Sequence, residues 1–443
     1  MNGYWFLFRR LTRALWFLPA LFCVSAVIVI VLAYLSADLL PESLDESALP
    51  ITVSGEALRN ILGIVASSML AVAVFALSTL VNLLTSAAQT GSPRAVPLFS
   101  GNRAARTTIS VFIGAFLFSI IGIIGLSSGI YTLGGRLILF AATVIVVFAV
   151  VWALIRWVRE ISVVGRVVEM TSRLEETTRE ALTRLGRDGR YGCTAATLSS
   201  SPSGRTVSAG AVGFVQHFDP HALQELAEAS DLTIHVLVRP GDYVDHATAL
   251  AVVSGEADDA CLEAVHDDFI IGEERTFDSD PGFGFLVLAD VARRALSPGV
   301  NDPSTAIHVL TVQTRLLADW ALTDKEADSD NDEPPYPKVT FAPVKPSALL
   351  DAAFRPISYE AASGAPDVGL ALLRGLSSLA RAAPGAFRDA ATALAADFTA
   401  RATSNASHAP DVAALRKAAA EMGGVVSEAE RPRPSTGFCN HGQ

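Results

Sequence analysis

Two runs of polar residues share one spacing, and that spacing suits chemistry in two different settings. Ser78, Asn82, Thr85 and Gln89 are separated by four, three and four positions, which puts them on one face of a helix. Asp290, Arg294, Ser297 and Asn301 repeat those offsets. They run into Asp302-Pro303, a pair suited to capping and opening a following helix. The first run stands in an apolar stretch. Uncharged amides and hydroxyls there suit either hydrogen bonding between membrane helices or the wall of a water-lined path through an oligomer, because an unpaired amide in hydrocarbon is strongly disfavoured. The second run has the residue types that hold a small anion: a guanidinium, a hydroxyl and an amide beside the free N–H groups where a helix starts at Pro303, with Thr305 in its first turn and Arg275 as a further candidate. A purely structural alternative is a tight helix-turn-helix corner, with Gly299 supplying a left-handed residue and Asp302 the cap. Hydrolytic chemistry fits less well. Ser297 has no histidine in a local motif, and His308 lies about two turns into the next helix.

These runs need elements to hold them, and composition indicates which. The chain has 443 residues, 51% apolar and 18% charged, with a mean hydropathy of +0.39. Soluble domains carry roughly 25% charged residues, so a membrane-embedded part is expected. Residues 1–160 hold ten arginines and six acidic residues, a net +4, whereas 161–443 hold 24 basic and 39 acidic residues, a net −15. So acidic a second half excludes nucleic acid and anionic headgroups as natural partners.

Four stretches are long enough to span a bilayer: Leu15 to Ser36, Leu58 to Leu84, Thr107 to Ser127 and Leu133 to Val158. The first, behind Arg9, Arg10 and Arg13, is too long for a removable signal and reads as a retained anchor. Arginines 94, 103 and 106 follow the second span and 156, 159 and 166 flank the fourth, while the connection 37–56 carries only acidic charge. Both termini are therefore expected in the cytosol, against the single Arg136 in the short third loop. No acidic or basic residue lies at mid-depth, so a proton relay is not indicated.

Beyond the membrane, Val164, Val167, Thr171, Leu174, Thr178, Ala181 and Leu185 repeat at three and four. That seam fits a coiled-coil stalk or a helix packed on its own domain. Residues 186–206 read as a linker, 212–216 as a strand, and Asp219-Pro220 as the opening of a helix to about Ala229. The stretch from Ile234 through Pro240-Gly241-Asp242 to Val253 is similar to hairpins of lipoyl and biotinyl carriers. It contains no lysine, so only that architecture is suggested and covalent carriage is excluded. Four scattered cysteines and eight histidines, all beyond residue 216, form no metal-ligand spacing. His217 and His221 are separated by the helix start at Asp219-Pro220. No cofactor is called for.

The most specific passage is Arg275 to Ala306. Arg275-Thr276, Asp280-Pro281, Ala295 to Gly299, Asn301 to Pro303 and Thr305-Ala306 resemble the motifs of a family of bacterial predicted membrane proteins of unknown function. The Gly213 to Gln216 segment and the Pro240 to Asp242 turn resemble it as well. Four N-terminal spans and a soluble domain are what the resemblance implies, from about residue 10 to 380, with no biochemical activity attached. Ile357-Ser358-Tyr359 departs from the Ile-Arg-x-Tyr pattern expected there.

The expected fold class is an all-α membrane region of four helices, followed by a soluble α+β domain with a small β-sandwich-like hairpin element and C-terminal helices. The expected segments are spans (1–160), stalk and linker (161–206), α+β domain (207–320), acidic flexible insertion (321–337), helical part (338–420) and disordered tail (421–443). The function expected from these features is a homo-oligomeric channel or pore in the cytoplasmic membrane with a ligand- or ion-sensing cytosolic domain. The alternative is a membrane-tethered enzyme or signalling scaffold built on 275–305.

Overall fold

A computed structural model describes residues 20–25, 27, 28, 31, 54–100, 103–129, 131, 133–163, 167–186, 188–196, 202–322, 334–383, 385–406 and 408–429. The chain divides into two compact units, Met1–Gln89 with Pro93–Glu169, and Thr90–Ser92 with Met170–Gln443.

The first unit is helical. Among the described residues three helices are long and apolar enough to cross a membrane: α1 (Gly55–Thr90), α3 (Arg103–Ser127) and α4 (Leu133–Val163), with the short α2 (Val96–Ser100) between the first two. The first of the four expected spans lies mostly outside the described residues. Residues 20–25 are helical, and Phe22 lies close enough to Gly114 that a Cβ there would stand 3.1 Å from its own. α3 is the interior helix. Half of its most apolar window is buried, against 22% for α1 and 17% for α4. Leu58 and Leu62 meet Phe118, Tyr131 and Leu139 at one level, and Ala73 and Ala76 meet Phe112, Ala115, Ala153 and Trp157 at another. Small alanines on α1 let the backbones approach, which is how helices associate where lipid removes the hydrophobic drive.

The second unit joins two sheets to a helical layer. Its elements are α5 (Val167–Leu185), β1 (Cys193–Ala195), β2 (Arg205–Ser208), β3 (Gly213–Phe218), α6 (Pro220–Ala229), β4 (Thr233–Val236), β5 (Tyr243–Val244), β6 (Ala249–Ser254), α7 (Asp259–Asp267), β7 (Phe269–Gly272), α8 (Pro281–Ala295), α9 (Pro303–Leu322), β8 (Tyr336–Phe341), α10 (Pro346–Ala361), α11 (Pro366–Ala382), α12 (Ala386–Asn405) and α13 (Ala409–Ala429). One sheet has the order β1-β8-β4-β6-β2, the other β5-β3-β7. β8 is parallel to both of its neighbours, and the remaining pairings are antiparallel. Ile234, Val236, Leu250, Val253 and Phe341 are fully or almost fully buried on the larger sheet. Phe218 stacks on Phe341 with ring centroids 5.5 Å apart, and Tyr191 meets both rings edge-on at 5.4 Å.

Several expectations are corrected here. Residues 193–195 and 205–208 are strands, not linker, because their backbones pair with β8 and β6. The acidic insertion ends sooner than expected, since Tyr336 and Pro337 already lie in β8. The strands around the Pro-Gly-Asp turn do not form one hairpin: β4 pairs with β6 and β5 pairs with β3 in the other sheet. The α5 seam is buried, with Thr171, Leu174, Thr178, Ala181 and Leu185 at 1% exposure or less. It packs on its own unit: a Cβ at Gly284 of α8 would collide with Thr178 Oγ1, and Arg315 of α9 pairs with Glu175 at 2.6 Å. α13 continues past the expected tail boundary to Ala429. Residues 430–443 and 323–333 lie outside the described set.

Candidate functional site

Helix α1 has two unlike faces. Leu58, Leu62, Ala66, Ala73 and Ala76 are buried against the other helices of the unit. Rotated by 100° per residue, Ser78, Asn82, Thr85 and Gln89 fall on the opposite side, and all four are exposed. Thr85 Oγ1 donates to the Val81 carbonyl at 2.9 Å, the usual way for a hydroxyl on a membrane helix to satisfy itself. Ser78, Asn82 and Gln89 make no hydrogen bond with another described residue. Around them stand Val74, Phe75, Leu77 and Val81, each more than half exposed. This is a hydrogen-bonding strip set in an apolar surface.

The second run is brought together differently. Asp280 caps α8, accepting from Phe283 N at 3.0 Å, ahead of Pro281 at the helix start. That side chain is 6% exposed and is gripped by Arg275, with Nη2 at 2.6 Å and Nε at 2.8 Å. The Pro-Gly-Asp turn closes over the pair: Gly241 has φ +94°, and a Cβ there would collide with Asp280 Oδ2. Burial pushes the Asp280 carboxyl above its ordinary value, with the Arg275 guanidinium pulling the other way. Next to it, His217 Nδ1 lies 2.8 Å from Ser279 Oγ. Burial holds that imidazole below its usual pKa. Tyr191 donates to the Ser279 carbonyl at 2.7 Å.

Arg275 is therefore at one end of α8, and Arg294, Ser297, Asn301, Asp302 and Thr305 are at the other. Fifteen residues at 1.5 Å each separate them by about 20 Å. At this far end the helix stops at Ala295 and the chain turns sharply. Ser297 Oγ donates to the Arg294 carbonyl at 2.7 Å. Asn301 N donates to the Ser297 carbonyl at 2.9 Å and Asp302 N to that of Ala295 at 2.8 Å. The left-handed residue is Asn301, at φ +49°, rather than Gly299; a short amide side chain tolerates that conformation because it bonds locally. Asp302 accepts from Thr305 N at 3.1 Å and from Thr305 Oγ1 at 2.6 Å. These bonds hold its carboxyl below the ordinary range, and they put negative charge where an anion at the start of α9 would sit. Asp290, half-buried, accepts from Ser92 Oγ at 3.4 Å. Arg294 and residues 298–301 are exposed.

No group of three or more His, Cys, Asp or Glu residues that could hold a metal occurs among the described residues. His235 bonds Thr340 and Ser254, while His246 and His266 bond main-chain carbonyls. The buried Cys193 thiol is pushed up to about 12 by its surroundings. Sequence reading missed two residues on the exposed face of α1, Asn60 and Ser67. They precede Ser78 by eighteen and eleven positions, too far apart to register as a local pattern although the helix returns them to the same side.

Membrane-length helices followed by a sheet-containing folded unit define an integral membrane protein with an additional α+β domain. The chain belongs to a family described as predicted membrane protein (DUF2254), whose sequence profile matches residues 12–378. It is similar to Rv1290c, an uncharacterised protein of Mycobacterium tuberculosis, at 38% identity over 125 residues, 25% of this chain and 23% of that protein. A likeness of the same extent links it to the uncharacterised protein Mb1321c of Mycobacterium bovis. The match thus spans about a quarter of these relatives' length. No solved structure matches the chain.

Proposed function

We propose that this protein is a homo-oligomeric pore of the bacterial cytoplasmic membrane, with four spans, both termini in the cytosol and the acidic second unit sensing a small ligand or ion. The observation that supports the reading is the exposure of Ser78, Asn82, Thr85 and Gln89 on the side of α1 turned away from its own bundle. Three of the four have no partner among the described residues, and hydrocarbon offers none. In this reading water or another copy of the chain supplies it. The arginine-rich flanks set the orientation, and Arg94, Arg103 and Arg106 would favour anions at the inner mouth. Lipid and further copies of the chain are the expected partners, and nucleic acid is not. Purified protein in liposomes should pass ions, and Asn82→Leu should change that conductance. Absence of current across salts and voltages removes the pore.

The second reading is a membrane-tethered enzyme or signalling scaffold that uses 275–305. In its favour, Arg294 is an exposed cation whose side chain has no partner among the described residues, beside an exposed turn. Titration with inorganic phosphate tests it. Binding that is lost in Arg294→Ala and Asn301→Ala with the fold intact sustains an anion site; no binding to the unmodified chain removes it.

A further inference from the structure

The polar strip of α1 does not begin at Ser78. Asn60 and Ser67 are both exposed, and at 100° per residue they fall with Ser78, Asn82, Thr85 and Gln89 inside a sector about 60° wide. That sector is opposite the buried stripe of Leu58, Leu62, Ala66, Ala73 and Ala76. From Asn60 to Gln89 it covers about 43 Å at 1.5 Å per residue, more than the roughly 30 Å of a hydrocarbon core. Ser67 Oγ is back-bonded to the Gly63 carbonyl at 3.0 Å; Asn60 has no hydrogen bond with another described residue.

Ile64, 66% exposed, stands in the sector between Asn60 and Ser67, and beyond Ser67 the strip has one longer interruption. Between Ser67 and Ser78 the sector and its margins hold Ala71, Val74 and Phe75, with Val74 59% and Phe75 66% exposed. Val74 and Phe75 are not buried by any described residue, and they lie near the middle of the helix. Polar segments on both sides of a bulky apolar level make the pattern by which a water column is broken, since a narrow apolar constriction dewets.

We infer that copies of α1 face one another along this sector and that Val74 and Phe75 form an apolar barrier between two wet segments, one lined by Asn60 and Ser67, the other by Ser78, Asn82, Thr85 and Gln89. The occupant of the exposed face is a second copy of the chain, because its amides and hydroxyls both donate and accept and so complement themselves. This inference rests on the pore reading and adds to it the position of the barrier.

The test uses the full chain in liposomes with its four cysteines replaced by serine. A membrane-impermeant thiol reagent is applied to one side at a time, on Ser67→Cys and Ser78→Cys, with Leu70→Cys and Leu77→Cys, exposed but off the sector, as controls. The barrier predicts that Ser67→Cys reacts from one side only, Ser78→Cys from the other only, and the controls from neither. Ion flux is read in parallel. Val74→Asn and Phe75→Ala, neither of which removes a buried contact, should each raise it on the order of tenfold. If the unmodified chain conducts, both cysteines react from the same side and both variants conduct as before, the barrier is overturned and the pore stands. If nothing conducts and neither cysteine reacts, both are overturned.

Discussion

Ser78-Asn82-Thr85-Gln89 and Asp290-Arg294-Ser297-Asn301 carry the same four-three-four spacing and meet different fates. The second run lies where a helix ends, and the chain bends back to use its polar groups. Ser297 and Asp302 are consumed by local bonds, Asn301 takes the left-handed position, and what remains outward is Arg294 and the tip of the turn. In the first run the helix carries on past Ser78, Asn82 and Thr85 and ends only at Thr90, so the main chain around Asn82 is already satisfied and its amide keeps its full hydrogen-bonding demand. Identical periodicity thus says nothing about availability. What decides it is whether the backbone around a polar side chain has spare donors and acceptors.

Breaking the satisfied region should cost most. Asp280→Ala removes the α8 cap and strands Arg275, a loss of about 3 kcal/mol in denaturant unfolding, while Asp280→Asn keeps the cap bond and loses less. Gly284→Ala drives a methyl into Thr178 and should lower stability by roughly 1–3 kcal/mol, with unfolding of the second unit ahead of the membrane helices as the signature. Asp302→Ala should lose about 1 kcal/mol through its cap. On the unsatisfied side, Arg294→Ala and Asn82→Leu should leave stability within about 0.5 kcal/mol; a larger drop in either would show that the group is already engaged, and the contrast would fail.

The smallest effect is in pH. Burial, with Asp219 and Asp267 nearby, pushes the Asp268 carboxyl up to about 6, so the native state takes up this proton before the unfolded chain does. Stability from this group is fully present below pH 3.9, the unfolded value, and is lost as pH rises through about 6. Asp268→Asn should flatten that part of the stability profile and raise the melting temperature at pH 7. His217 acts oppositely. Its lowered pKa contributes stability above about pH 6.5 that falls away in acid, so His217→Gln should remove that acid-side loss and leave the Asp268 slope as it is.

Local signals were legible where one residue pair decides an element. Asp219-Pro220 opens α6 with Asp219 accepting from His221 and Ala222, and Asp302-Pro303 opens α9. The Asp280-Pro281 pair carries the same signal and starts α8. Long-range pairing was not legible. β1 looks like part of a Gly-Ser-Arg loop, and only its pairing to β8, more than 140 residues later, makes it a strand. Nor does sequence tell that the α5 seam packs against Gly284. A three-four repeat of Thr, Leu and Ala fits a second chain or the same one equally, and the missing Cβ at Gly284 decides between them.

β8 lies between β1 and β4, so the larger sheet is closed only after the ribosome has passed residue 341. Until then β1 has no neighbour and one edge of β4 stands open, a hazard for premature self-association. Cutting the gene at the acidic stretch around residue 328 would therefore yield one piece with four of the five strands and another with β8 alone. Co-expression of the two should restore what neither achieves separately.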